Sequence, residues 1–288
     1  MPSDRLSRLR AHLACEGSRN IVERQGCFHQ ILRLFNEWRA GPDRDEAFAE
    51  ARRELHRWSH LFREAHALAG ESLVYDEAAR SVRDTLGLVR SLRVRRYDDD
   101  DSAPPLSAIL RSPHARELSM LHVSGTPISF EELARGPGAA QLGALVLNGA
   151  VAGDAPWEAL ERWPGLATLQ FLQIAGASAE SCSSERLWAL LEHAPVFASL
   201  HVQPLDFDRF MDGVDAHPAV AHRLEQLSLR QCQLRDDHLP RLIAATALDR
   251  LATLDLRQNS QITCAGLAAL RRAAHFRRGT ILIDRDCP

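Results

Sequence analysis

The amino-acid sequence predicts an α/β solenoid of about eight short parallel strands that alternate with helices, preceded by an all-helical N-terminal region. A triplet of aliphatic residues with one internal spacing recurs through the second part of the chain. Stretches of helical periodicity lie between the triplets. The first 86 residues show helical periodicity without the triplet. We therefore expect two regions, residues 1–86 and residues 87–288.

Composition disfavours several classes of protein. The formal net charge of −3 over 288 residues disfavours a general nucleic-acid binder. No apolar run approaches the roughly 18 residues of a membrane span, and the N-terminus lacks the apolar stretch of a signal peptide. We expect a cytoplasmic protein that binds neither nucleic acid nor membrane, although secretion without a cleaved signal stays open. Every basic residue among the 35 is an arginine, which indicates a GC-rich, bacterial coding sequence.

The N-terminal region predicts four helices. The first covers residues 4–14, the second covers 19–39 and ends before Gly41, and a fourth covers about 71–86. The third opens at a capping box formed by Asp43 and Glu46. Its apolar stripe comprises Phe48, Ala51, Leu55, Trp58, Phe62 and Ala65.

Two interpretations of residues 1–86 stay open. A helical cap would shield the first edge of the solenoid, because a terminal repeat otherwise exposes its core. A separate docking or effector domain is the alternative, since about 86 residues exceed what a cap needs. The acidic segment Asp98–Asp101 is interpreted as a solvated loop, with an acidic recognition loop as the alternative.

The aliphatic triplet defines the strands. Its second and third members are two residues apart, so in a strand both side chains point to the same, buried side. Successive triplets begin 29, 24, 24, 31, 27, 27 and 27 residues apart. The triplets are Val89-Leu92-Val94, Leu118-Leu121-Val123, Leu142-Leu145-Leu147, Leu166-Leu169-Phe171, Phe197-Leu200-Val202, Leu224-Leu227-Leu229, Leu251-Leu254-Leu256 and, with its first apolar position lost, Arg278-Ile281-Ile283.

The last complete repeats carry a further signature. Cys232 and Asn259 follow their triplets at the position where a side chain can satisfy backbone groups as the chain leaves the strand. Residues 87–288 thereby resemble the leucine-rich repeat family, and the repeat length resembles its ribonuclease-inhibitor-like subclass. The middle repeats depart from the pattern, because Ala150, Ile174 and Leu205 stand where Asn or Cys is expected. The resemblance implies a parallel concave sheet that binds proteins, with helices on the convex side.

The predicted binding face consists of the strand residues that alternate with the buried triplet positions. The first column comprises Arg93, His122, Val146, Gln170, His201, Ser228, Asp255 and Leu282. The second column comprises Arg95, Ser124, Asn148, Leu172, Gln203, Arg230, Arg257 and Asp284. We expect these residues, apart from Ser124, Ser228, Leu282 and Asp284, to bind the partner. Val146 and Leu172 would be the apolar anchors, and the arginines would pair with carboxylates.

Motifs that carry enzymatic chemistry are missing from the sequence. It has no phosphate-binding loop, no GxGxxG and no GxSxG, and the glycine-rich segment 135–143 reads as a turn. His56 and His60 share a face of the predicted third helix, but no third metal ligand accompanies them. The six cysteines form no CxxC pair and are expected to be reduced. We expect no catalytic residue, no cofactor and no metal.

The predicted function is that of a non-catalytic protein-binding module or scaffold whose partner is another protein. Two alternatives stay open. One is an effector or toxin-like protein whose activity lies in residues 1–86, and the other is an inhibitor or immunity-type protein that occludes an enzyme. The last strand, near Ile283, has no helix after it, and a homodimer could form through this edge unless Asp284, Arg285 and Asp286 block it by charge.

Overall fold

The chain forms two compact units. A computed structural model describes residues 2–17, 20–67, 72–76, 79, 81–95, 106–125, 130–149, 160–176, 184–203, 205–273, 276 and 279–284. The first unit consists of Met1–Thr126 and Arg135–Leu142, and the second of Pro127–Ala134 and Gly143–Pro288. The first unit thus includes the first two predicted strands as well as the N-terminal helices. The predicted acidic loop at Asp98–Asp101 lies outside the described residues.

Three helices open the first unit, as the sequence predicts. They are α1 (Pro2–Leu13), α2 (Ile21–Glu37) and α3 (Pro42–Leu55). The side chain of Asn20 caps α2 by accepting a hydrogen bond from the backbone of Val22. The predicted capping box at Asp43 is wrong: Gly41 is the N-cap of α3, and no side chain caps it. Pro42 takes the first helical position, where its missing N–H costs nothing.

The prediction of an all-helical N-terminal region is wrong after α3. The predicted third helix ends at Leu55, so His56 and His60 lie in the following turns and share no helical face. The predicted helix at 71–86 is instead a short antiparallel pair, β2 (Tyr75–Asp76) and β3 (Ser81–Val82). The hydroxyl of Ser72 accepts hydrogen bonds from the backbone of Val74 and Tyr75, which favours a turn over a helix.

A strand that the sequence analysis missed precedes β2. Strand β1 (Glu64–Ala67) pairs in parallel with β4 (Ser91–Arg95), so that Ala65 lies opposite Leu92 and Ala67 opposite Val94. Phe62, Ala65 and Ala67 repeat the triplet spacing 27 residues before Val89. Alanine in place of leucine hid this repeat within an apparent helical stripe.

The rest of the first unit continues the parallel ladder. Strand β5 (Met120–Ser124) pairs with β4 in parallel, and helix α4 (Leu106–Arg111) lies between them in the sequence. The predicted turn at 135–143 contains a short 3-10 segment, Pro137–Ala139. Gly138 is required there, because an added Cβ would lie 2.3 Å from the Cβ of Ala115.

The outer edge of β1 is occupied by side chains of α2. His29 Nε2 lies 3.0 Å from the carbonyl oxygen of Glu64, and Gln25 Nε2 donates to the carbonyl of Leu61 at 2.9 Å. The contact at Glu64 satisfies a backbone carbonyl of the edge strand. The cap and docking-domain interpretations of residues 1–86 both stay predictions.

The second unit has six parallel strands among its described residues, in chain order from β6 to β11. The elements after helix α5 (Phe130–Arg135) are β6 (Ala144–Asn148), β7 (Phe171–Ala175), α6 (Ser184–Glu192), β8 (Ser199–Gln203), α7 (Phe207–Ala216), α8 (Pro218–Ala221), β9 (Gln226–Ser228), α9 (Leu239–Ala244), β10 (Thr253–Asp255), α10 (Cys264–Arg272) and β11 (Thr280–Leu282). All eight predicted strands are therefore present in the described part of the two units, as β4 to β11.

The predicted register of one strand is wrong by three residues. In β7 the buried alternating pair is Leu172 and Ile174, which lie opposite Leu145 and Leu147 of β6. The triplet is thus Leu169-Leu172-Ile174, and successive triplets in this part of the chain begin 24, 27 and 28 residues apart. Leu166 and Leu169 are also buried, so an apolar run longer than the triplet made two registers fit the sequence.

The turn positions of the last repeats are confirmed. The side-chain oxygen of Asn259 accepts hydrogen bonds from the backbone of Cys232 and Leu234, both at 3.0 Å. Its amide nitrogen donates to the carbonyls of Leu229 and Leu256 at 2.8 Å. One buried amide therefore joins two successive repeats. In the middle repeats Ile174 belongs to β7, Leu205 is buried, and Ala150 lies outside the described residues.

The expectation that the cysteines are reduced is wrong for part of the set. Cys15, just after α1, forms a disulfide with Cys27 of α2, and Cys264 is also disulfide-bonded. Cys232 is a free, buried thiol whose pKa is raised to about 12 by burial. Because a thiolate is the reactive form, burial keeps this thiol inert. The cytoplasmic location stays a prediction.

Candidate functional site

The candidate site is the face of the parallel strands opposite their buried leucines. We call it the open face and define it by the residues that alternate with the buried strand positions. In the first unit it comprises His66, Arg93, His122, Arg95 and Ser124. In the second unit it comprises Val146, Gln173, His201, Ser228, Asp255 and Leu282, with Asn148, Ala175, Gln203, Arg230, Arg257 and Asp284 following them.

Two predicted binding residues do not belong to the open face. Leu172 is 2% exposed and lies in the core, so it cannot anchor a partner. Gln170 precedes β7, and its carbonyl accepts hydrogen bonds from the start of β8. Because the register is shifted, Gln173 and Ala175 occupy the open-face positions that the sequence analysis assigned to Gln170 and Leu172. Val146 does lie on the open face, but it is only 4% exposed.

On the first unit, the open face carries a compact charged cluster. Glu64 lies 3.1 Å from His66 Nε2 and 3.3 Å from a guanidinium nitrogen of Arg93. The hydrogen bond from His66 lowers the pKa of Glu64, burial opposes this shift, and the charge of Arg93 adds to it. Arg93 is therefore already paired with a carboxylate. Sequence reasoning missed Glu64 and His66 because it missed β1, and the triplet that ends at Ala67 was the available signal.

Polar side chains form two amide contacts on the second unit. Gln173 donates to the side-chain oxygen of Asn148 at 3.0 Å, and Gln203 donates to that of Gln231. Both contacts join neighbouring strands or the turns after them. They fix the orientation of side chains that a partner would meet.

A carboxylate and a guanidinium neutralise each other at β10. Arg257 donates to Asp255 through Nε at 2.9 Å and through a terminal nitrogen at 2.6 Å. Burial would raise the pKa of Asp255, but the hydrogen bonds from Arg257 outweigh it and the pKa is lowered. The bidentate geometry is the strong form of this ion pair.

Next to that pair lie three side chains that each have one buried polar atom without a hydrogen-bond partner. His201 of β8 is the direct neighbour of Ser228 in β9, and Arg230 follows Ser228 after the buried Leu229. The Nε2 of His201, the Oγ of Ser228 and the Nε of Arg230 are buried and make no hydrogen bond within the described structure. The pKa of His201 is lowered, first by burial and then by the charge of Arg230.

His201, Ser228 and Asp255 are the residue types of a hydrolytic triad, but they do not have the geometry of one. In a triad the histidine lies between the aspartate and the serine. Here Ser228 lies between His201 and Asp255 in the register, and Asp255 is held by Arg257. The geometry therefore gives His201 no aspartate to orient it.

The described part of the chain shows neither a cluster of metal ligands nor a membrane-spanning helix. It contains no group of three or more His, Cys, Asp or Glu side chains able to hold a metal ion. Within the same residues, no helix combines the length and the apolar character needed to cross a membrane.

Three half-buried histidines are expected to make stability depend on pH. Burial is the main cause that lowers the pKa of His29, His122 and His201. Near the ordinary histidine pKa of about 6.5, the folded chain therefore binds fewer protons at these histidines than the unfolded chain does. We expect the free energy of unfolding, measured by urea denaturation, to fall as the pH drops from about 8 to 5. The triple variant His29→Gln/His122→Gln/His201→Gln should show a smaller fall, and an unchanged pH dependence would contradict the assignment.

The comparisons with known proteins show the fold only. No family model matches the sequence, and no curated protein matches it. A crystal structure of a Bacteroides fragilis protein is similar, with a TM-score of 0.52 and 12% sequence identity over 77% of this chain and 73% of that chain. A chain of the TLR13–ssRNA13 complex aligns with a TM-score of 0.35 and 15% identity over 76% of this chain and 37% of that chain, which is too weak to carry an argument. The described strands and their repeat spacing independently indicate an α/β solenoid-like architecture.

Proposed function

We propose that the protein is a non-catalytic protein-binding module of the leucine-rich repeat type, with repeats of the ribonuclease-inhibitor-like subclass. The observation that carries this proposal is the open face of the second unit. Six parallel strands present mixed polar side chains there at the strand spacing of about 4.8 Å. Such a surface suits an extended set of contacts with a protein better than a small-molecule pocket does.

The open face is preorganised for binding. Backbone ladders fix its strands, and Asn259 joins the last two complete repeats through hydrogen bonds to both. Ordering a flexible surface costs about 0.5–1.5 kcal/mol for each immobilised side chain. The amide and ion-pair contacts of the open face already hold its side chains in place, so binding a partner avoids part of that cost. The open face can therefore bind a partner without a large apolar anchor residue.

A steric block on the open face tests the proposal. Ala175 lies half-buried on β7 at the open face, and Ala216 is exposed at the end of α7. The full-length wild type, Ala175→Arg and the matched control Ala216→Arg would each be used to capture proteins from a lysate of the source organism, with identification by mass spectrometry. We expect wild type and Ala216→Arg to capture the same protein. The amount captured by Ala175→Arg should be at least about tenfold lower, which corresponds to a loss of about 1.4 kcal/mol in binding free energy.

Other outcomes would contradict or narrow this proposal. Equal capture by Ala175→Arg, or no captured protein at all, would contradict binding at this face. A single captured enzyme that is inhibited by the wild-type protein would favour the inhibitor alternative over a scaffold. The predicted homodimer through β11 is a separate proposal, and light scattering that shows a monomer at high concentration would contradict it.

A further inference from the structure

We propose that His201, Ser228 and Arg230 form a carboxylate-binding subsite on the open face of the second unit, which receives an aspartate or glutamate side chain of the protein partner. The source of the carboxylate rests on the proposed function. The chemistry of the subsite rests on the three side chains themselves.

Three polar atoms of the subsite are unsatisfied. The Nε2 of His201, the Oγ of Ser228 and the Nε of Arg230 each lack a hydrogen-bond partner within the described structure while buried from solvent. A buried polar group without a partner destabilises the folded chain. Three such atoms, on β8, on β9 and just after β9, mark a place where a ligand that supplies acceptors would satisfy them.

Three arginines of the open face, Arg93, Arg230 and Arg257, differ in their ion pairing. Arg93 lies 3.3 Å from Glu64, and Arg257 lies 2.6 Å from Asp255. Arg230 makes no ion pair with any carboxylate in the described part of the chain. Its nearest acidic neighbour in the register is Asp255, which already binds Arg257 through two nitrogens. The charge of Arg230 contributes to the lowered pKa of Asp255, but its guanidinium makes no ion pair with that carboxylate and can donate to a group from outside the chain.

The three side chains of the subsite together offer hydrogen-bond donors suited to a carboxylate. A guanidinium donates two parallel hydrogen bonds to a carboxylate, and the Ser228 hydroxyl can donate a third. A neutral imidazole protonated on Nε2 can donate a fourth. A cationic ligand is disfavoured, because Arg230 and Arg257 lie on successive repeats of the same face. These three side chains therefore favour a planar anion such as a carboxylate.

The experiment uses a single carboxylate as its probe. Full-length ¹⁵N-labelled protein would be titrated with N-acetylglutamate N-methylamide, and the backbone amides and the Nε–H signal of Arg230 would be followed by NMR. N-acetylglutamine N-methylamide is the neutral control ligand. We expect dose-dependent shifts at His201, Ser228 and Arg230 with the glutamate probe only. Arg230→Gln should weaken the apparent affinity at least about tenfold, whereas Arg209→Gln, on the exposed face of α7, should leave it unchanged.

Three results would overturn the subsite. They are equal shifts with the neutral probe, no shift at up to about 50 mM of the glutamate probe, and an affinity unchanged by Arg230→Gln. Stronger binding of inorganic phosphate at the same residues would replace the carboxylate with a phosphate group. The proposed function fails separately: if the probe binds and no protein is captured, the subsite stands and its protein source is wrong. If a protein is captured and the probe does not bind, the subsite alone is wrong.

Discussion

Replacing Asn259 with alanine is expected to lower the free energy of unfolding by about 4 kcal/mol, because the change leaves several buried backbone groups without partners. Asn259 is 7% exposed. Its side chain accepts from the backbone of Cys232 and Leu234 and donates to the carbonyls of Leu229 and Leu256. Each orphaned buried group costs about 1–3 kcal/mol, and partial relaxation reduces their sum. Urea denaturation monitored by circular dichroism would measure the loss.

A second asparagine of the same unit provides the matched control. Asn148 is half-buried on the open face, where its side-chain oxygen accepts from Gln173. We expect Asn148→Ala to cost less than about 1 kcal/mol. Equal effects of the two substitutions would contradict the role of Asn259 as the link between successive repeats.

Replacing Trp188 with alanine is expected to lower the free energy of unfolding by about 3–5 kcal/mol. The side chain is fully buried and packs on Phe210 with ring centroids 5.2 Å apart. Its Nε1 donates to the carbonyl of Phe210 at 3.1 Å. The variant removes this bond and leaves a cavity between α6 and α7. Chemical denaturation of the full-length chain would measure the effect.

A double-mutant cycle sharpens this prediction. A Cβ added at Gly213 would lie 1.9 Å from Cδ1 of Trp188, so Gly213→Ala alone should destabilise the protein by about 1–3 kcal/mol. In the Trp188→Ala background the clash is absent, and alanine is favoured over glycine in a helix by about 0.5–1 kcal/mol. We therefore expect the same substitution to change sign and become stabilising. Additive effects of the two substitutions would contradict the packing of α6 against α7 through these residues.

The repeat architecture could be predicted from the sequence because its signal is local. A triplet such as Leu224-Leu227-Leu229 combines strand alternation with a fixed period, and one strand-helix unit must stack on another to bury it. The role of Asn259 could also be predicted from the sequence, because this residue lies just after a triplet. Predicted strands were found even where the signal was weak, as at Phe197-Leu200-Val202, which belongs to β8.

Segments with two acceptable local solutions could not be predicted. Leu166, Leu169, Leu172 and Ile174 are all buried, so the sequence alone allowed two registers for β7. Ala65 and Ala67 fit a helical stripe as well as a strand, and pairing with β4 decided between them. In both cases the hydrogen-bond ladder to the neighbouring strand selected one solution, because a shifted register would bury polar side chains and expose apolar ones.

The period of the repeats, eight of the parallel strands and most of the residues on the open face follow from local patterns in the sequence. How the charges on that face pair with one another depends on the tertiary fold. Arg93, Arg230 and Arg257 are all predicted from the sequence to lie on the open face, yet two of them bind carboxylates of this chain and Arg230 does not. Whether a carboxylate reaches a guanidinium depends on strand register and side-chain direction, and both depend on contacts between residues that are distant in the sequence.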